Sequence, residues 1–488
     1  MKNILLILLV VILGFWLPKK MKKAILIILA VAAGLCLIGA AGVGIFLATL
    51  PDDIPSFDDS QLVRPKESLP DEQNAFTYYA QAADVLACPE DREAFDRIFD
   101  GEDWNEDLVE GVLDQNKPVF QLVAAGNRRE RCLAPRVTSI DSLMPYLAKW
   151  RAIARLLVVQ TQYDIRQAEA SAALADVKTL CEFSHRIQAD ASCLIHYVVA
   201  VAIREMSMRS TRDLVNANLL SQGQLEELQE ILEKNQPSIE GYIHAWQSEY
   251  EVFANFVDSL HTGERIIDDD PSSKMPEWIQ RGAAKYFLHP NRTKRDMGMI
   301  YSELIKQATN FYANTRVTDV DEFMLSKKKA IDEAEGFAKF RVPNPVGTLL
   351  YPMLLPASQT VVKQKCNTAV SHRATTILIA LDRYRMTHDR LPSELASLVP
   401  QFLSAVPRDP YDGKPMRYVP DAGIVYSVGE DLKDSASSVE LSSDREPRNA
   451  WQCQWMTEDI VFQIDERIKQ TESTVPSKAS PSTASDVR

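Results

Sequence analysis

The chain has 488 residues, enough for two or three domains that each bury a core, and its 46% hydrophobic and 25% charged residues are ordinary for globular protein. Only 18 glycines are present, which suits helices better than a β-sandwich. The net charge is −13, but the first fifty residues hold five lysines and no acid, so the rest of the chain carries −18. A body of that sign repels nucleic acid and anionic lipid, which argues against a DNA or RNA partner.

The first fifty residues contain two apolar runs. Ala24 to Leu50 has no charged side chain and, at 27 residues, is long enough to cross a bilayer with some tilt. Residues 4–18 are marginal as a span: they either pair with the second run or precede a true start at Met21. The lysines at 19–23 stay cytoplasmic under the positive-inside rule, which sends everything after Leu50 outward. The expectation is a single-pass protein of a bacterial inner membrane, with the bilayer as partner through 24–50 and the bulk of the chain extracytoplasmic. Six cysteines remain in that body (Cys88, Cys132, Cys181, Cys193, Cys366 and Cys453); they permit three disulfides or remain small buried apolar residues.

Residues 51–70, rich in Pro, Asp and Ser, read as a tether, and 71–341 as a helical bundle. Apolar residues recur at three and four from Leu147 to Leu157, and again at Leu174, Val177, Leu180 and Cys181. The uncharged run 191–203 predicts a helix buried on all sides. Ser221 followed by Gln224 predicts a capped helix. Residues 262–292 read as a long loop in which Asp268-Asp-Asp is solvated, and helices are expected near 293–315 and 318–339. Four prolines between 342 and 359 predict a hinge rather than a second span.

The C-terminal stretch 360–468 carries the most information. A helix from about Thr360 to His388 has Cys366, Val370, Ala374, Ile377, Leu381 and Tyr384 on one stripe. A break follows at Leu391-Pro392, then a short helix that Ser393 is placed to cap. Pro407 to Pro415 is dense in turn residues, and strands are expected at Met416–Val419, Ile424–Val428 and near Ile460–Ile464. Residues 469–488 have no apolar period and should be disordered. The fold class is therefore mainly α: an N-terminal transmembrane helix, a helical bundle, and a small α+β module of one long helix and a three-stranded antiparallel sheet.

The motifs Arg390-Leu391-Pro392, Pro407 to Tyr418, Ser427-Val428-Gly429-Glu430-Asp431 and Asp459-Ile460 occur in one order. Together they resemble the C-terminal domain of the major pseudopilin of type II secretion, over about a fifth of the chain. The chain departs from that family at its start: neither apolar run follows a Gly-Phe-Thr-Leu-Ile-Glu-like segment, and the module lies more than 300 residues from the anchor. The Asn-Ala start of the helical part and the Asn344 to Gly347 hinge, with this ending, are also similar to a group of anchored proteins common in planctomycete-type bacteria. In pseudopilins the loop after the motif corresponding to Ser427-Val428-Gly429-Glu430-Asp431 binds calcium. The resemblance implies Ser427, Asp431, Asp434 and Asp459 as hard oxygen ligands, although here the loop carries an insertion at 435–454. The alternative is that these acids simply solvate a loop.

No zincin, nucleophile-elbow, phosphate-loop or dinucleotide motif is present. Cys181 with His185, and Cys193 with His196, lie one helical turn apart and would surround zinc if their helices pair; packed core residues are the competing reading. No cofactor other than calcium and no catalytic residue is read from the sequence. The function expected is a non-enzymatic interaction or scaffold protein of the envelope, with a protein partner there. The alternatives are an accessory pseudopilin-like component of a secretion or pilus system, and an envelope hydrolase with its site in the bundle.

Overall fold

In the computed structural model the described residues are 35, 37–266, 276–315, 317–335, 342–354, 358–441 and 454–464. The first apolar run, residues 24–34 and 36 of the proposed span, Asp268 to Pro271, most of the 435–454 insertion and the tail from 465 lie outside them. Residues 37–48 are helical, and among the described residues no helix is long and apolar enough to cross a membrane. Fourteen further helices follow among them: α1 Ala75–Asp84, α2 Arg92–Asp100, α3 Glu106–Gln115, α4 Lys117–Asn127, α5 Pro145–Arg166, α6 Ala170–Ala189 and α7 Leu194–Asn216. Then come α8 Gln222–Lys234, α9 Ile239–Thr262, α10 Glu277–Phe287, α11 Pro290–Lys306, α12 Val317–Asp332, α13 Pro345–Leu354 and α14 Ser358–His388. The strands are β1 Arg417–Val419, β2 Ile424–Ser427 and β3 Ile460–Gln463. The protein is thus mainly helical with one small sheet near its C-terminus. Its chain divides into a larger unit (Ser60–Val252, Met299–Val317, Ala357–Arg488) and a smaller one (Met1–Asp59, Phe253–Gly298, Thr318–Pro356).

In the larger unit, α5, α6 and α7 form the centre and α1 and α4 close it. Leu147, Trp150, Ile153, Ala154 and Leu157, spaced by three and four, are buried against Leu180 and Phe183 of α6, as the periodicity requires. Asn74 starts this packing: its Oδ1 caps α1 at Phe76 N (3.1 Å) and also accepts Leu133 N–H (2.9 Å), while its Nδ2 donates to Leu133 O. Gly126 lets α4 reach α1, because a Cβ there would sit 2.3 Å from the Tyr79 ring. The capping box of α8 is present, Ser221 and Gln224 bonding each other's backbone.

The uncharged run 191–203 differs from expectation. Residues 191–193 form the turn before α7, and Ile195 is 62% exposed, so this helix has one face open to solvent rather than none.

The sheet is antiparallel in the order β1-β2-β3, with Tyr418 opposite Val425 and Val425 opposite Phe462. Val425 and Phe462 pack on Val370, Ala374, Ile377 and Leu381 of α14. The predicted single stripe of α14 is too narrow. A second stripe is also buried: Ser371 and Thr375 accept from Arg212 of α7 (2.9 and 3.0 Å), and Ile379 joins the core of α6, α7 and α8. The short element after Leu391-Pro392 is a 3-10 turn, Leu395–Leu398, which begins after Glu394 with no side-chain cap, so Ser393 does not cap it.

In the smaller unit, residues read as loop contain α10, which packs on α13. The proline-rich segment is helical over Pro345–Leu354, since Pro345 occupies the first position, where no N–H is needed. Asn344 takes φ +60° ahead of it; its side chain accepts His289 N–H (3.0 Å) and donates to Thr293 Oγ1 (2.8 Å). A Cβ at Gly347 would lie 2.3 Å from that Thr293 oxygen, so the Asn-Pro-x-Gly sequence is a clasp on the start of α11. Residues 51–54 are held there too: the Asp53 carboxylate accepts N–H from Asn291 (2.8 Å) and Arg292 (3.0 Å), in the first turn of α11.

Candidate functional site

The four oxygen ligands inferred for calcium lie around the edge of the sheet, each with a hydrogen-bond partner. Ser427 Oγ donates to Asp409 Oδ1 (2.8 Å) rather than facing the loop. Asp431 Oδ1 accepts Lys433 N–H, and Asp434 Oδ1 accepts the Tyr426 hydroxyl (3.0 Å) and Ala436 N–H (3.1 Å). Asp459 is fully buried and accepts N–H from Ser435 (3.5 Å) and Ser438 (3.2 Å); burial, then the charge of Asp434, raises its pKa against those bonds. The structure brings Asp434 and Asp459 near each other and leaves Asp431 exposed. Among the described residues no group of three or more His, Cys, Asp or Glu side chains could hold a metal ion.

The residue that organises this region is Asp409, which went unassigned in the turn-rich segment. It is fully buried and its two oxygens accept from Tyr411 N, Ser427 Oγ, Val428 N and Arg417 Nη1, all at 2.7–3.0 Å. Arg417 in turn pairs with Asp412. The Pro-Arg-Asp-Pro sequence therefore pins the turn to β1 and to the end of β2.

Cys181, His185, Cys193 and His196 do not converge. Cys181 Sγ faces Thr211 Oγ1, His185 Nδ1 faces Gln236 O (3.0 Å), Cys193 Sγ contacts Met144 Sδ, and His196 Nδ1 accepts Ser192 N–H (3.0 Å). Burial pushes His196 down to about 4, so its ring is neutral at pH 7. Cys88, Cys132, Cys181, Cys193 and Cys366 are all free thiols, and all but Cys88 are buried. Three disulfides are therefore not formed, and the reading of buried apolar cysteines holds for those four. Cys453 lies outside the described residues.

Among the cavities of the larger unit, two are lined by buried cations. One, of about 720 Å³, is lined by Arg64, Glu67, Asn74, Phe76 and Arg136 among others. Its arginines are paired. Arg64 Nη2 meets Asp190 at 3.0 Å, Arg131 bridges Asp190 (2.6 Å) and Glu67 (2.7 Å), and Arg136 meets Glu251 at 2.6 Å. Burial raises the pKa of Asp190, but the hydrogen bond and charge of Arg131 and the charge of Arg64 outweigh it and leave the carboxyl below its ordinary value.

The second cavity, of about 590 Å³, is bounded on one side by α14 through Lys365, Cys366, Ala369, His372, Arg373 and Thr376, and elsewhere by residues 236–239, 308–311 and 403–410. Lys365 is 8% exposed; its Nζ donates to Ala308 O (2.9 Å) and Asn310 O (3.3 Å) and lies 5.4 Å from the Tyr242 ring centre. Arg373 Nη1 donates to Arg408 O at 2.6 Å. Among the described residues neither cation has an ion-pair partner. Glu233, the acid in the lining, accepts from Gln229 Nε2. Burial and the nearby Arg204 push His372 down to about 3, and its Nε2 is 3.0 Å from Leu232 O. The sequence carries no signal for this cavity, because Lys365 and Arg373 are ordinary helix residues until the 308–311 and 403–410 segments pack against them.

Comparison of the chain with family models, curated proteins and solved structures returns no match. The fold and cavities therefore define only a mainly helical, two-unit protein with a small C-terminal sheet.

Proposed function

We propose that this chain is a membrane-anchored protein whose larger, acidic unit is held outside the cytoplasm, where it serves as a binding or scaffold body rather than a catalyst. The observation that carries the reading is the apolar helix with its side chains turned outward (Leu35, Leu37, Ile38, Val43 and Ile45 are 58–72% exposed), ending shortly before Asp53, which is fixed to α11. Such a helix is unstable in water and suited to lipid.

The smaller unit's own surface supports the same reading. Between Glu277 and Arg295 the chain has five basic residues and one acid, in a body otherwise strongly negative. Trp278 is 74% exposed and Tyr286 43%, and Lys285 Nζ lies 5.6 Å from the Tyr286 ring centre. Basic and aromatic side chains on one short amphipathic helix suit an anionic lipid interface. The repulsion of anionic lipid expected from the whole body's charge does not apply to this segment.

Cys88 provides the test, as the free thiol that is exposed among the described residues. In a Cys453→Ser background a membrane-impermeant maleimide should label it on intact spheroplasts without prior reduction, and adding Cys88→Ser should remove that label. Labelling that needs lysis would reverse the topology and overturn the proposal.

A further inference from the structure

We propose that the cavity along α14 is a binding site for a small organic oxyanion, a carboxylate or phosphate group carried on a partly apolar molecule. The inference does not depend on where the chain is anchored. Two cations line one cavity, and among the described residues neither has a carboxylate at ion-pair distance, although the charge of Asp409 reaches Arg373; the cavity beside Asp190 instead pairs its lining arginines throughout. An unpaired charge in a buried position is costly, and proteins keep one where a ligand supplies the opposite charge. Lys365 bears that cost: burial, and the nearby charge of Arg373, lower its pKa. A bound anion would relieve both effects.

The geometry narrows the ligand. Lys365 and Arg373 are eight positions apart on α14, about 12 Å along the helix axis, with both side chains in the cavity lining. A molecule lying along the helix can meet both. The wall between and opposite them is apolar where Tyr197, Phe311, Leu403 and Pro407 line it, and Asn310, Ser404 and Thr376 offer polar edges. The arginine gives a planar pair of donors suited to carboxylate or phosphate, and the lysine gives a point charge.

The experiment follows thermal unfolding of the full chain in detergent with glutarate and, separately, phenyl phosphate, each against chloride at matched ionic strength. At least one should raise the Tm saturably, and which one does so separates carboxylate from phosphate recognition. Arg373→Gln should weaken that binding roughly tenfold or more, as expected for loss of a charged hydrogen bond. Arg136→Gln, in the other cavity, should leave the affinity unchanged. Lys365→Met should behave like Arg373→Gln; if it fails to fold, the arginine variant decides alone, because Arg373 is only half-buried. The proposal is overturned if neither oxyanion exceeds chloride, if Arg373→Gln binds as well as the parent, or if Arg136→Gln loses binding equally.

Discussion

Two cavities of the larger unit, one beside Asp190 and one along α14, solve the same electrostatic problem in opposite ways. Around Asp190, one buried carboxylate gathers Arg64 and Arg131, and Glu67 and Glu251 complete the set, so the charges hold segments 64–67, 131–136 and the end of α6 together. Along α14 the cations are anchored only by backbone carbonyls. A carbonyl orients a cation without neutralising it. The first arrangement is therefore a structural lock, and the second leaves charge available for a ligand.

The largest effect that would break this contrast is on the lock. Asp190→Asn should cost about 3–5 kcal/mol, because it leaves the buried Arg64 beside a neutral partner, measured as a fall in denaturant midpoint. A loss below about 1 kcal/mol would mean the arginines are solvated in place and the two cavities are alike. Arg373→Gln, by comparison, should cost no more than about 1–2 kcal/mol without ligand, the loss of its hydrogen bond to Arg408 O.

Between these lies the acid response. His196, beside the first cavity, and His372, in the second, are buried and neutral, their pKa values lowered to about 4 and about 3 from an ordinary 6.5. The unfolded chain binds these protons first, so the stability they contribute is present above pH 6.5 and is lost as pH falls towards 4 and 3. The slope is up to about 1.4 kcal/mol per pH unit for each ring. His372→Gln should flatten the fall of Tm between pH 6.5 and 4; an unchanged slope would show that this ring is reached by protons in the native state. Asp190 adds a second loss lower down, since its pKa is depressed and its contribution disappears only as pH drops through that depressed value.

The smallest effect concerns the sheet edge. Ser427 Oγ donates to Asp409, and Asp431, Asp434 and Asp459 accept from neighbours, so the four are oriented by those bonds and do not converge on a common point. A Tm unchanged by added calcium, with Asp434→Asn also showing no calcium dependence, is expected from this arrangement. A rise abolished by Asp434→Asn would show that the loop rearranges around the ion.

Much of the helical body was legible because single-helix periodicity and capping are local. Leu147 to Leu157, Leu174 to Cys181, the Ser221–Gln224 box and the three strands could each be placed from spacing alone. Reading residues 262–292 as loop missed α10, since the aspartate run and the prolines masked its short amphipathic pattern. The uncharged run at 191–203 suggested full burial, yet an absence of charge does not say how many neighbours surround a helix, and Ile195 faces out. The oxyanion cavity had no local signature at all.

By itself the sequence determined the elements that depend on neighbours a few positions away: helix periods, caps, turn residues and a charge-free run of membrane length. The tertiary structure alone decided which polar groups would meet. Asp409 gathers donors from the end of β2 and from Arg417, Asp190 gathers Arg64 and Arg131 from far along the chain, and Lys365 and Arg373 form no ion pair among the described residues. Pairing of that kind is set by packing across distances of up to more than a hundred residues, and residue type fixes only what each group requires, not which partner supplies it.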